Sequence, residues 1–168
     1  MDTKNPTTFR FAGPEDCALV LQFIKDLAEY EKMTADVVAD EELLMKWIFE
    51  KKAAEVLFAM IDGKEIGFAV FCQNFSTFLG RAGLYLEDIY ITPQHRNKGI
   101  GKAMLKELAR IAVDRGYGRM EWVCLDWNTP SIEFYLNLKA KPLTEWTTYR
   151  LSADSLEALA ENTFSAKL

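Results

Sequence analysis

Apolar and polar residues alternate through TTFRFAG (7–13), the period of two expected of a half-buried strand. The GPED that follows predicts a helix opened by Pro14, with Leu19, Val20, Phe23, Ile24 and Leu27 spaced along one face to about Tyr30. Asp40 is a suitable N-cap for a second helix that carries Leu43, Leu44, Trp47 and Ile48 on one face. EVLFAMI (55–61) and EIGFAVFCQ (65–73), joined across Asp62-Gly63, predict a hairpin. NFSTFLGRAG (74–83) reads as a looser segment. LYLEDIYIT (84–92) predicts a strand ended by Pro93, and a helix over about 99–115 should bury Met104, Leu105, Leu108, Ile111 and Ala112 before Gly116 stops it. RMEWVCLD (119–126) predicts another strand, followed by a short helix capped by Asn128 or Thr129 with Pro130 in its first turn. WTTYRLS (146–152) predicts a last strand, and a terminal helix is expected over about 153–163.

The order is strand, helices, a hairpin meander, then a strand-helix-strand crossover whose two strands should run parallel with a right-handed connection. It implies an α/β (mixed α+β) fold: one mostly antiparallel mixed sheet with one parallel strand pair and helices on both faces. The 168 residues suit one domain spanning 1–168, with its core at about 8–152. No repeat, low-complexity tract or linker divides it.

The composition, 49% hydrophobic and 27% charged, is that of a globular protein. No apolar run approaches the ~18 residues of a membrane helix, and MDTKNPTTFR lacks an apolar leader region, so a cytoplasmic protein with no membrane partner is expected. Cys17, Cys72 and Cys124 are odd in number and widely spaced, which fits free thiols in a reducing compartment. With His95 the lone histidine, they build no metal site.

The formal net charge of −5 argues against nucleic acid as a partner. It is unevenly placed. Arg96, Lys98, Lys102, Lys106 and Arg110 against Glu107 give residues 95–110 a local +4, while residues 28–44 carry six acids against Lys32. The acids of 28–44 would attract a cation, although Asp40, Glu41 and Glu42 also suit a helix start.

The basic segment joins a strand to a helix, and a helix N-terminus offers unpaired N–H groups and partial positive charge to a phosphate. Gly99 and Gly101 would let an anion approach the backbone, with Arg96, Lys98 and Lys102 adding charge. Ala103 after Lys102 and Arg96 in place of a glycine exclude a Walker loop, and Met104 stands where a dinucleotide fingerprint needs a small residue. What remains is R-x-x-G-x-G.

That motif resembles the pyrophosphate loop of the GNAT superfamily of N-acetyltransferases. With DLAEYEKM (26–33), YLEDIYI (85–91), RNKGIGKAML (96–105) and LDWNTPSIEFY (125–135) in order, the chain is similar over about 8–152 to the diamine acetyltransferase branch, which includes spermidine/spermine and thialysine acetyltransferases. The resemblance implies acetyl-coenzyme A as cofactor, a small-molecule primary amine as acceptor, direct transfer in a ternary complex, and a homodimer. It implies that the donor is held by Ile89, Tyr90 and Ile91 of the strand, by Arg96, Asn97, Lys98, Gly99, Ile100, Gly101 and Lys102 of the loop, and by Asn128, Ser131 and Tyr135 of the later helix. Glu87 is the implied base and Tyr135 the implied acid, while Tyr30, Glu31, Glu87 and Asp88 would line the amine pocket.

The chemistry is consistent with those roles. A lysine-like amine is almost fully protonated at neutral pH and must lose a proton before it attacks a thioester. The departing thiolate gains from a proton donor, and the carbonyl from a preorganised backbone N–H near Ile89 to Ile91. Strand alternation puts Glu87 and Asp88 on opposite sides unless a bulge intervenes. Two departures from the branch stand out. FSTFLGRAG replaces the acid and tryptophan that precede the strand in spermine-specific members, and with LDWN it points to a small amino acid side-chain amine. Lys139 replaces a usual glycine at a helix end where φ is positive. Two other functions are weighed, transfer to a protein or peptide amine and a non-catalytic acyl-coenzyme A binding module; the presence of both Glu87 and Tyr135 speaks against the second.

Overall fold

The computed structural model describes residues 6–161. Strand β1 (Thr8–Phe11) leads through a 3₁₀ turn at Pro14–Asp16 into helix α1 (Cys17–Glu31). The helix stops where Lys32 turns left-handed at φ 62° and its N–H reaches the last carbonyls. The Asp40 side chain accepts a bond from the Leu43 N–H at 2.8 Å and caps α2 (Glu41–Leu44), as the sequence predicts. That helix continues as a wider π-helical turn over Met45–Glu50.

Strands β2 (Glu55–Ile61) and β3 (Lys64–Ser76) form the expected hairpin, with Asp62 and Gly63 at φ 53° and 72° supplying the two left-handed positions of its turn. Next come β4 (Arg81–Ile91), a 3₁₀ turn at Pro93–His95, α3 (Ile100–Asp114) and β5 (Met120–Trp122). Helices α4 (Thr129–Asn137) and α5 (Ala153–Ala160) follow. The strands lie in the order β1-β2-β3-β4-β5, antiparallel except for the parallel β4–β5 pair. The mixed α/β sheet with one parallel pair is as expected.

Helices cover both faces of this sheet. On one face Val20, Phe23 and Leu27 of α1 pack on Val56, Phe58, Phe68, Val70 and Tyr90, with the Phe23 and Phe68 rings stacked at 5.3 Å. Leu57, Phe71 and Leu86 alternate to the other face. There α3 lies against β4 with Ile100, Met104, Leu105, Leu108, Ile111 and Ala112 buried, and Arg115 at its end stands over the Phe71 ring. Arg10 ties β1 to the rest, its guanidinium holding Asp16 at 2.7 Å and Glu65 at 2.7 Å.

Three expectations need correction. Residues 146–152 form no strand: among the described residues none joins them in a ladder, the Trp146 N–H turns back to the Leu143 carbonyl at 3.2 Å, and Trp146 and Tyr149 are exposed. The strand expected over 119–126 shortens to Met120–Trp122, the residues that face Leu84 to Leu86 of β4. The segment 74–83 is mostly paired, not loose, because the ladder runs on from Gln73↔Leu84 to Ser76↔Arg81. The predicted end of the terminal helix at 162–163 lies outside the described residues. By its internal contacts the chain divides into two compact units, Met1–Val123 and Cys124–Leu168, the first holding the whole sheet.

Candidate active site

A bulge in β4 determines which side chains meet. Val70 of β3 pairs with Asp88, yet the next residue, Phe71, pairs with Leu86, so Glu87 is the extra residue. Counting outward from these pairs, Glu87 alternates from Leu86, which faces α3, to the α1 face, and Asp88 stays with Val70 on that same face. Two adjacent acids that plain alternation would separate are thereby brought together. Glu31, the last residue of the α1 helix that covers this face, is close enough for its charge to act on Asp88.

The electrostatics follow from this crowding. The Asp88 carboxyl is pushed up to about 6, first by burial and then by the charges of Glu87 and Glu31. Burial also raises Glu31. Cys72 on β3 lies close enough that its thiol, already raised by burial, is raised further by Glu87. Two neighbouring carboxylates that raise the Asp88 carboxyl favour a cation among the three.

Beside the cluster β4 has an open edge. The Thr92 N–H donates to the Ile66 carbonyl at 3.0 Å, so the alternation of an antiparallel ladder turns Tyr90 toward β3 and leaves the Ile89 and Ile91 N–H groups on the opposite side. Parallel strand β5 covers only Leu84 to Leu86 on that side. The Ile89 and Ile91 amides are thus aimed past the end of β5, the arrangement expected of donors to a carbonyl oxygen.

The chain then turns into α3. Thr92 bonds the Ile66 carbonyl and His95 Nδ1 through its hydroxyl, Asn97 takes φ 60°, and Gly99 takes φ 82° as the N-cap. Among the described residues no side chain caps α3, and a Cβ on Gly99 would meet nothing within 4 Å. Open space therefore adjoins the unpaired first-turn N–H groups and the positive end of the helix, a fit for a phosphate. The cations around it are used unequally. Lys102 is exposed, Lys98 Nζ donates to the Gln94 carbonyl at 2.8 Å, and Arg96 turns inward with Nε on the Ile91 carbonyl at 2.8 Å. Farther along, Arg110 is paired with Glu107 and Asp114.

In the second unit Asn128 is buried and caps α4, its Oδ1 accepting from the Ser131 N–H at 3.4 Å. Tyr135 lies one turn beyond Ser131, half-buried, with its ring 5.4 Å from that of Phe134.

Residues 21–139 match the model of the Acetyltransferase (GNAT) family. The chain belongs to that family. It is an N-acetyltransferase fold and enzyme, and its family draws the acetyl group from acetyl-coenzyme A. It is 34% identical over 163 residues to the thialysine N-epsilon-acetyltransferase of Sus scrofa, covering 90% of this chain and 95% of that one. The Caenorhabditis elegans protein of the same name is 36% identical over 151 residues, covering 88% and 93%. Among solved structures, an integron cassette protein from the mobile metagenome of V. cholerae superposes with a TM-score of 0.77 at 25% identity, over 92% of this chain and 98% of that one.

Within this GNAT enzyme the structure gathers Glu31, Glu87 and Asp88, and it lines up Ile89 and Ile91 by their backbone. Tyr90 and Ile100 are buried, so toward a ligand they could offer backbone rather than side chain. Cys72 is the neighbour that sequence reasoning missed; only the register of β3 against β4 brings it beside Glu87. Among the described residues no helix is long and apolar enough to cross a membrane, and no His, Cys, Asp and Glu cluster could hold a metal ion.

Proposed function

We propose that this protein moves the acetyl group of acetyl-coenzyme A to the primary amine of a small molecule, a thialysine- or lysine-like amino acid or a diamine or polyamine, by direct transfer in a ternary complex. The observation that carries this reading is the β4 bulge. It puts the carboxyl groups of Glu87 and Asp88 on one face with Glu31, immediately before the strand edge from which the Ile89 and Ile91 amides point. The names of the pig and nematode relatives support an amine of this size.

In this reading bound acetyl-coenzyme A supplies the acetyl group as a thioester. The loop from Asn97 to Lys102 would hold its diphosphate by backbone N–H groups, with Gly99 giving room and Lys102 adding charge. Glu31 and Asp88 bind the cationic acceptor, and Glu87, the most exposed of the three, takes the ammonium proton and passes it to solvent. The Ile89 and Ile91 amides would offer their N–H groups to the carbonyl oxygen of the thioester. Tyr135 would be the proton donor for the departing sulfur, on a helix whose start Asn128 and Ser131 shape. No acyl-enzyme is required.

The two units would act as one transferase domain, and the active form would be a cytoplasmic homodimer; sedimentation of the pure protein tests the dimer. The function itself is tested by thiol release from acetyl-coenzyme A with thialysine, lysine, putrescine, spermidine and a lysine peptide. Release with small amines, and initial-rate lines that intersect, support the proposal. Parallel lines, the mark of a ping-pong route, or release with the peptide alone would overturn it.

A further inference from the structure

Arg96 lies three residues before Gly99, yet its side chain does not extend toward the mouth of α3. Nε donates to the Ile91 carbonyl at 2.8 Å, and the guanidinium carbon stands 4.5 Å from the Tyr30 ring centroid and 5.1 Å from that of Tyr90. A planar guanidinium can lie against aromatic rings while its edge donates hydrogen bonds, and here its carbon stands near two rings and its Nε–H donor is turned inward. The two rings belong to the acceptor side of the site. Tyr30 is next to Glu31 in the last turn of α1, and Tyr90 is two residues past Asp88 on the same face of β4.

We propose that Arg96 is a positioning residue: a strut between Tyr30 and Tyr90 that links the loop before α3 to the acid-bearing end of α1, so that filling the loop also orders the acceptor wall. This rests on the function proposed above. It assigns the first arginine of R-x-x-G-x-G a role through its neighbours rather than as a charge on the diphosphate. A lysine cannot replace it, because an ammonium has no plane to lay between two rings.

Calorimetric titration of the full chain with coenzyme A, over a series of potassium chloride concentrations, tests the strut. Tyr30→Leu and Arg96→Met should each weaken binding by about two- to tenfold, the range of a partly buried cation–π contact. The double variant should be no weaker than either single one, since one linkage is being cut twice. Tyr30→Phe, which keeps a ring face, should bind as the parent does, and Arg96→Lys should resemble Arg96→Met. The salt dependence of binding should stay unchanged in Arg96→Met, because no phosphate contact is lost. A direct phosphate contact gives the reverse: a flatter salt dependence, rescue by Arg96→Lys, and no effect of Tyr30→Leu. Any of these, or additive losses in the double variant, overturns the strut. The ligand-free amide spectrum keeps the two proposals separable. If the parent protein binds no coenzyme A the proposed function fails, while the strut still requires that Tyr30→Leu and Arg96→Met shift the same amides of residues 97–101; unmoved amides in Tyr30→Leu refute it.

Discussion

Replacing Asp88 by asparagine should make the protein more stable and the enzyme worse, and the gain in stability should depend on pH. The Asp88 carboxyl rises from an ordinary 3.8 to about 6 because it is buried and faces Glu87 and Glu31. A raised midpoint means that the folded state prefers the protonated group. Below the unfolded midpoint both states are protonated and nothing is lost; as pH climbs through about 6 the fold must carry a charge it disfavours. The displacement corresponds to at most about 3 kcal/mol above that pH. Asparagine never ionises, so unfolding in urea should show Asp88→Asn more stable than the parent by about 1–3 kcal/mol at pH 8. The advantage should shrink on acidification and vanish near pH 4. At the same time the KM for the amine should rise, since a cation loses one of its carboxylate partners. An Asp88→Asn protein that is less stable than the parent at pH 8, or whose stability difference is the same at both pH values, would refute the crowded-carboxylate argument.

Further outcomes follow from the same geometry. Glu87→Gln and Tyr135→Phe should each lower kcat by about 10²–10⁴-fold, the usual contribution of a general base or acid, while calorimetry finds coenzyme A affinity nearly unchanged. Gly99→Ala, which forces a side chain onto φ 82° where a Cβ meets nothing within 4 Å, should cost about 1–2 kcal/mol through the backbone alone, read by thermal unfolding. It should also raise the KM for the donor more than it changes kcat. Lys139 adopts φ 67°, with its N–H on the Leu136 carbonyl, so Lys139→Gly should stabilise the protein by up to about 1 kcal/mol in the same assay.

What the sequence made legible was local. Asp40 and Asn128 cap helices because their side chains reach backbone N–H groups three residues on, Asp62-Gly63 turns because it tolerates φ above zero, and the spacing of Met104, Leu105 and Leu108 marks the buried stripe of α3. What stayed hidden depended on partners distant in the chain. The β4 bulge is a mismatch between two strands, so YLEDIYI alone could only separate Glu87 from Asp88 by alternation. The contacts of Arg96 with Tyr30 and Tyr90 likewise join residues that no motif places side by side. WTTYRLS has the letters of a strand but, among the described residues, no ladder to join.

The most direct measurement is the rate of free thiol produced from acetyl-coenzyme A by the purified protein, with and without thialysine or a diamine, in the parent and in Glu87→Gln. Thiol release that requires the amine, yields the mono-acetylated product by mass spectrometry and collapses in Glu87→Gln is the predicted result. Equal release with and without every amine, or an undiminished rate in Glu87→Gln, would contradict transfer at the bulged strand.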